Sequence, residues 1–202
     1  MIDFYWVDII FIVLSLFSLI IFLKTAYFTK SLSGLFFSFS ILSLLISDIL
    51  FFLVNVDAIL IAEWGNLVSI IFVFCALLVE IRNSKPILAR FPFPLVFFPL
   101  IGLIFFPIVN QADVIKNLLI SMYQVGAIIV GLLVISINQL IHNNRFLLLI
   151  SCLLFVIAYF GFWIFDNLYF KPITIILTGF GMLFGALGFK KMFTNQNNIN
   201  HL

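Results

Sequence analysis

Charge is scarce in this chain. Ten Lys/Arg and eight Asp/Glu make up 9% of 202 residues, where a soluble domain carries roughly a quarter. Too little polar surface remains to cover a water-soluble globule, which excludes a soluble catalytic or DNA-binding domain. Histidine is nearly absent as well. His142 falls in a link between apolar runs and His201 near the C-terminus, so there is no pair of intramembrane histidines for a haem and no His/Cys/Asp/Glu cluster at zinc spacing. The two cysteines, Cys75 and Cys152, lie inside apolar runs without a partner at ligand spacing and read as small hydrophobes. There is no G-x-S-x-G elbow for a serine hydrolase. A retinal Schiff base would need a lysine midway along the last apolar run, but Lys171 stands at its mouth and threonine and glycine fill its middle. No cofactor, metal or nucleic-acid partner is therefore expected, and the net charge of +2 comes from lysines and arginines between apolar runs.

What the chain has in abundance is apolar sequence, 65% of its residues, in long runs. About 20 such residues cross a bilayer as a helix. The runs predict seven transmembrane helices near 5–23, 33–54, 60–81, 91–109, 115–141, 146–166 and 171–189, an all-α polytopic bundle joined by short polar links. Pro86, Pro92, Pro94, Pro99 and Pro107 flank or interrupt the fourth span; each proline removes a backbone donor, so this span is expected to be bent or partly re-entrant. The chain starts with Asp3 and Asp8 and meets Lys24 only after the first apolar run, unlike a secretory signal, so a retained first helix with its N-terminus outside is expected. On that orientation Lys24, Lys30, Arg82, Lys85, Arg90, Arg145, Lys190 and Lys191 are cytoplasmic, and only Lys116 and Lys171 are outside. Eight against two satisfies the positive-inside rule, and Trp6, Trp64 and Trp163 fall at the outer interface, where amphipathic rings prefer to sit. The C-terminus is then cytoplasmic. Residues 1–190 form the predicted membrane domain and 191–202, rich in asparagine, a disordered tail. The 28 phenylalanines are read as lipid-facing bulk.

Small residues mark where helices approach closely. Thr174, Thr178, Gly181, Gly185 and Gly188 share one side of the last helix, a small-xxx-small pattern expected to serve packing within the bundle. Ser33, Ser40 and Ser47 recur every seven residues along the second helix with Ser43 between them, a second packing seam, and Gly126 with Ala127 offers a third in the fifth helix. Glu80 and Arg82, at the inner end of the third helix, are expected to form an interfacial pair or to snorkel, and Asn138, Gln139 and His142 to be solvated.

One residue stands apart. Asp48 has apolar neighbours on both sides in I-S-D-I-L-F-F, and an intramembrane carboxylate costs on the order of 2.5–3.5 kcal/mol on insertion scales. It must face protein or a wet cavity, as a general base, a proton-linked group, a ligand contact or a hydrogen-bonded structural acid. At a similar depth in the outer half of the membrane lie Tyr123 and Gln124 of the fifth helix, Tyr159 of the sixth, and Thr174 and Thr178 of the seventh, with Asn55 and Asp166 at the rim. A polar pocket open toward the outside or the outer leaflet is expected, with a lipid or small molecule as its ligand.

Residues 43–53, S-L-L-I-S-D-I-L-F-F-L, resemble the first aspartate motif of the YhhN, or lysoplasmalogenase-like, family of bacterial membrane proteins, a small-residue–Asp pattern of the type S-x-x-G-D-x-x-L. Asp48 matches the aspartate and Ser47 stands for the usual glycine. Gly65 matches the glycine of the next segment, and Tyr123 in L-I-S-M-Y a later tyrosine. Ala158 and Tyr159, in L-L-F-V-I-A-Y, stand where the family has a second Ser-Asp pair, and residues 72–79 lack its histidine. The resemblance implies a bacterial inner-membrane location and hydrolysis of the vinyl-ether bond of lysoplasmalogens, with Asp48, as a neutral acid, protonating the enol ether so that water attacks the oxocarbenium. Two classes stay open: a non-enzymatic membrane protein with a pocket around Asp48, and a YhhN-like lipid hydrolase.

Overall fold

A computed structural model of the protein describes residues 5–53, 58–84, 90, 92–109, 112–139, 146–164 and 171–199. Every regular element among them is helical: α1 (Tyr5–Thr29), α2 (Leu32–Leu53), α3 (Ala58–Ser84), a 3-10 helix (Phe93–Leu100) running into α4 (Ile101–Val109), α5 (Asp113–Gln139), α6 (Phe146–Ile164) and α7 (Lys171–Ile199). Five helices are long and apolar enough to cross a membrane; Phe93–Val109 and Phe146–Gly161 are shorter apolar helices. The surface points the same way. Phe17 (59% exposed), Ile104 (69%) and Val114 (82%) face outward, an apolar exterior that suits lipid and that a soluble monomer avoids. Helices are the natural answer to such a sequence, because in hydrocarbon each backbone amide and carbonyl must be satisfied within the segment.

The predicted spans match these helices closely, with two extensions. α1 continues beyond residue 23 to Thr29, the hydroxyls of Thr25 and Thr29 donating back to the carbonyls of Ile21 and Thr25 at 2.8 and 2.7 Å. It ends at Lys30, whose left-handed backbone (φ 50°) turns the chain, and Ser31 then caps α2 by accepting the Gly34 amide at 3.3 Å. α7 continues to Ile199, through the segment expected to be a disordered tail.

The helices pack as two compact units, residues 1–30 with 139–202, and residues 31–138. In the first, α6 and α7 are antiparallel. Gly181 meets the Phe155 ring, Gly185 the Ser151 hydroxyl and Gly188 the side chain and backbone of Leu148, so the predicted small-residue stripe is an internal seam. Ser151 donates to the Gly181 carbonyl at 2.6 Å across it. α1 lies along α7 in parallel: Phe11 and Leu14 face Gly179, Ser15 donates to the Met182 sulfur at 3.7 Å, and the Phe22 and Phe189 rings are 5.4 Å apart.

The second unit is built on the α2–α3 hairpin. Its core holds Phe36, Leu67, Ile71, Cys75, Val96 and Phe106. The serine seam is present as expected: Ser40 and Ser69 share a 2.8 Å hydrogen bond, and Ser43 reaches the Gly65 carbonyl at 3.5 Å. The fourth span is broken as its prolines imply. It lies antiparallel to α3, with the Phe97 ring 5.8 Å from Phe36 and Phe106 5.1 Å from Trp64. α5 runs parallel to α3, with Gly126 against the Phe74 ring.

Candidate polar site in the second unit

The geometry around Asp48 follows from helical spacing. On α2, residues 33, 36, 40, 43 and 47 form the face toward α3. Asp48, one residue on, is turned about 100° from Ser47 and joins a second face with Ile41 and Leu45, each 3% exposed. Asp48 itself is half-buried, and helical spacing sets it on a different side of α2 from the more exposed Phe39, Leu42, Ile46 and Ile49. Beside it the helices are as close as they can be. Ser47 is buried, donates to the Leu44 carbonyl at 2.8 Å, and fills the space a side chain at position 65 would take, its Cβ and hydroxyl both standing where a Gly65 Cβ would lie. Only glycine fits there. Ser47, next to Asp48, and Gly65 therefore touch.

The other expected pocket residues divide between the units. Tyr123 and Gln124 are half-buried on α5, in the same unit as Asp48. The Tyr123 hydroxyl donates to the Pro99 carbonyl at 2.9 Å, its ring lies against Gly102 and edge-on to Phe74 at 6.3 Å. Tyr123 thus braces the broken fourth span. Tyr159, Thr174 and Thr178 belong to the first unit. Tyr159 is half-buried beside Phe160, their rings 5.8 Å apart; Thr174 is buried with its methyl 3.0 Å from where a Gly161 Cβ would be; and Thr178 donates to the Thr174 carbonyl at 2.8 Å. Asn55, Lys85, His142, Arg145 and Asp166 lie outside the described residues, as do the side chains of Trp163, Asn138 and Gln139.

Sequence reasoning missed two polar contacts in this unit. Near the start of α3 and α5, Lys116 holds both oxygens of Glu63, at 3.0 and 2.9 Å, with side-chain exposures of 10% and 26%. Lys116, counted in the sequence only as an outside positive charge, thus forms a largely desolvated, charge-assisted pair with Glu63. At the other end of the hairpin the buried Glu80 accepts the Ser33 hydroxyl, which in turn bonds Ser31 at 2.8 Å, while the Arg82 guanidinium lies 5.2 Å over the Phe93 ring. The signal for Ser33–Glu80 was present in the serine heptad, since an antiparallel partner must supply polar groups opposite it. Among the described residues no group of three metal-ligating side chains converges.

No protein-family model, curated protein or solved structure matches the chain.

Proposed function

We propose that the protein is a seven-span protein of a bacterial inner membrane, N-terminus outside and C-terminus in the cytoplasm, that binds a lipid or small molecule at a polar site around Asp48 in the outer half of the bilayer. The observation that carries this reading is the placement of Asp48: a carboxylate within an apolar helix, half-buried, on a face distinct from the α2–α3 seam and from the lipid side. Intramembrane acids kept off the lipid face are characteristic of substrate and proton pathways. The parallel packing of α1 and α7 supports the span count, because the first and seventh of seven alternating spans run the same way. The experiment is mass spectrometry of molecules retained by the purified protein in nanodiscs, wild type against Asp48→Asn. A species held by the wild type and lost by a folded Asp48→Asn variant supports the site; equal retention by both removes Asp48 from it.

A second reading is favoured by the Ser47–Gly65 contact, which brings together the two segments resembling the YhhN family. On this reading Asp48, present as the neutral acid, protonates the vinyl-ether carbon of a lysoplasmalogen. Water adds to the oxocarbenium, and the resulting hemiacetal collapses to an aldehyde and the glycerophospholipid alcohol, returning a proton. Aldehyde release by the wild type, abolished in a folded Asp48→Asn variant, establishes the hydrolase; no release by folded, monodisperse wild type eliminates it.

A further inference from the structure

Within the fourth span the winding changes at Leu100–Ile101, and burial records the change. The inward residues are Val96, Pro99, Gly102 and Phe106, at intervals of three, three and four: the period of a 3-10 helix followed by that of an α-helix. Eight residues of 3-10 winding is well beyond the usual three or four, so something must hold it. Pro99 is one cause. In continuous α-winding its ring would press on the Leu95 carbonyl, four residues back, and leave that carbonyl without a donor. Neighbouring side chains supply the rest. Arg82 sits over Phe93, Phe36 meets Phe97 edge-on, and the Tyr123 hydroxyl donates to the Pro99 carbonyl at 2.9 Å, one residue before the junction.

We propose that Phe93–Leu100 is a two-state element, able to wind as 3-10 or as α-helix, with the Tyr123–Pro99 hydrogen bond as the latch on the 3-10 state. The two windings differ by about 20° per residue and about 0.5 Å of rise per residue. With α4 fixed, rewinding all eight residues turns the Phe93 end by about 160° and draws it in by about 4 Å. The residues exchange sides in a specific way. Val96, now 4% exposed, turns toward lipid, while Leu95 (49%) and Phe98 (66%) turn inward. In the α state the Pro99 carbonyl turns away from the Tyr123 hydroxyl and accepts the Leu103 amide in place of the backbone amide it takes in the 3-10 state.

Single spin labels at Leu95→Cys and at Phe98→Cys, in a chain carrying Cys75→Ala and Cys152→Ala and held in nanodiscs, report their contact with lipid through collisions with dissolved oxygen. Oxygen accessibility at both positions is expected to fall on adding Tyr123→Phe, which removes the latch, and to fall further with Pro99→Ala, which restores an amide and removes the ring. Unchanged accessibility at both positions in folded variants overturns the proposal. Should the variants fail to fold, NMR relaxation dispersion on the unsubstituted chain decides: microsecond-to-millisecond exchange over residues 95–100 with α4 quiet is expected, and a quiet 95–100 segment overturns the proposal.

Discussion

The two units solve the same problem by different means. In the α1–α6–α7 unit, glycine and serine let backbones meet: Gly181, Gly185 and Gly188 receive Phe155, Ser151 and Leu148, and hydroxyls bond carbonyls within or across helices. The α2–α5 unit has an apolar core and a close Ser47–Gly65 approach of its own, to which it adds charged, polar and aromatic contacts. It contains the Lys116–Glu63 pair, the Ser33–Glu80 and Ser40–Ser69 contacts, Tyr123 on Pro99 and the half-buried Asp48. Close van der Waals approach needs no desolvated charge and specifies a fixed seam. Desolvated charge costs stability unless fully partnered, and a fold that retains it concentrates the places where chemistry or movement can occur. Asp48 and the 3-10 helix both lie in the second unit.

The sharpest way to break this comparison is at the closest contact in each unit. Gly65→Ala puts a methyl where Ser47 already stands, and is expected to destabilise by about 3 kcal/mol, the upper end for overpacking, with Ser47→Gly restoring much of the loss. Gly185→Ala in the other unit meets a hydroxyl at 2.9 Å with the Ser151 Cβ at 3.7 Å; that group can turn aside, so the expected cost is about 1 kcal/mol. Equal shifts in the thermal unfolding midpoint of the two variants would remove the asymmetry. Next in size is Lys116→Met, which takes the ammonium from Glu63 and is expected to cost about 1.5–3 kcal/mol. In a double-mutant cycle with Glu63→Gln, the two losses should fall well short of adding; additive losses would make the pair incidental. Ser151→Ala removes one cross-seam bond to Gly181 and should lower stability by about 1 kcal/mol, small beside Gly65→Ala because the α6–α7 backbones still fit. The smallest effect is a gain. Lys30→Gly relieves a side chain in a left-handed conformation and should raise stability by up to about 1 kcal/mol; a loss would show that Lys30 acts through its charge.

Much of the fold was legible because hydropathy and spacing carry it. The apolar spans follow from hydropathy, the break in the fourth span from its prolines, and the α7 small-residue stripe and the serine seam from helical spacing along the chain. The site was less legible. Asp48 was visible as an intramembrane acid, but Tyr123, grouped with it by depth, turned out to spend its hydroxyl on Pro99. Depth along a helix can be counted from residue number, whereas the direction a side chain faces depends on how the helix is rotated about its axis.

That distinction marks the boundary between what sequence and tertiary structure each decide. The sequence by itself determined that this is a helical protein with apolar segments long enough to cross a membrane, and which of their faces are small or polar, because these properties depend on hydrophobicity and periodicity along one chain. Only the tertiary structure decided that Lys116 meets Glu63, that Ser47 fills the space beside Gly65, that Glu80 takes a hydroxyl from Ser33, and that a 3-10 helix is braced by a tyrosine from α5. Each of these depends on the register and rotation of one helix against another, and those are set by the packing of many side chains at once.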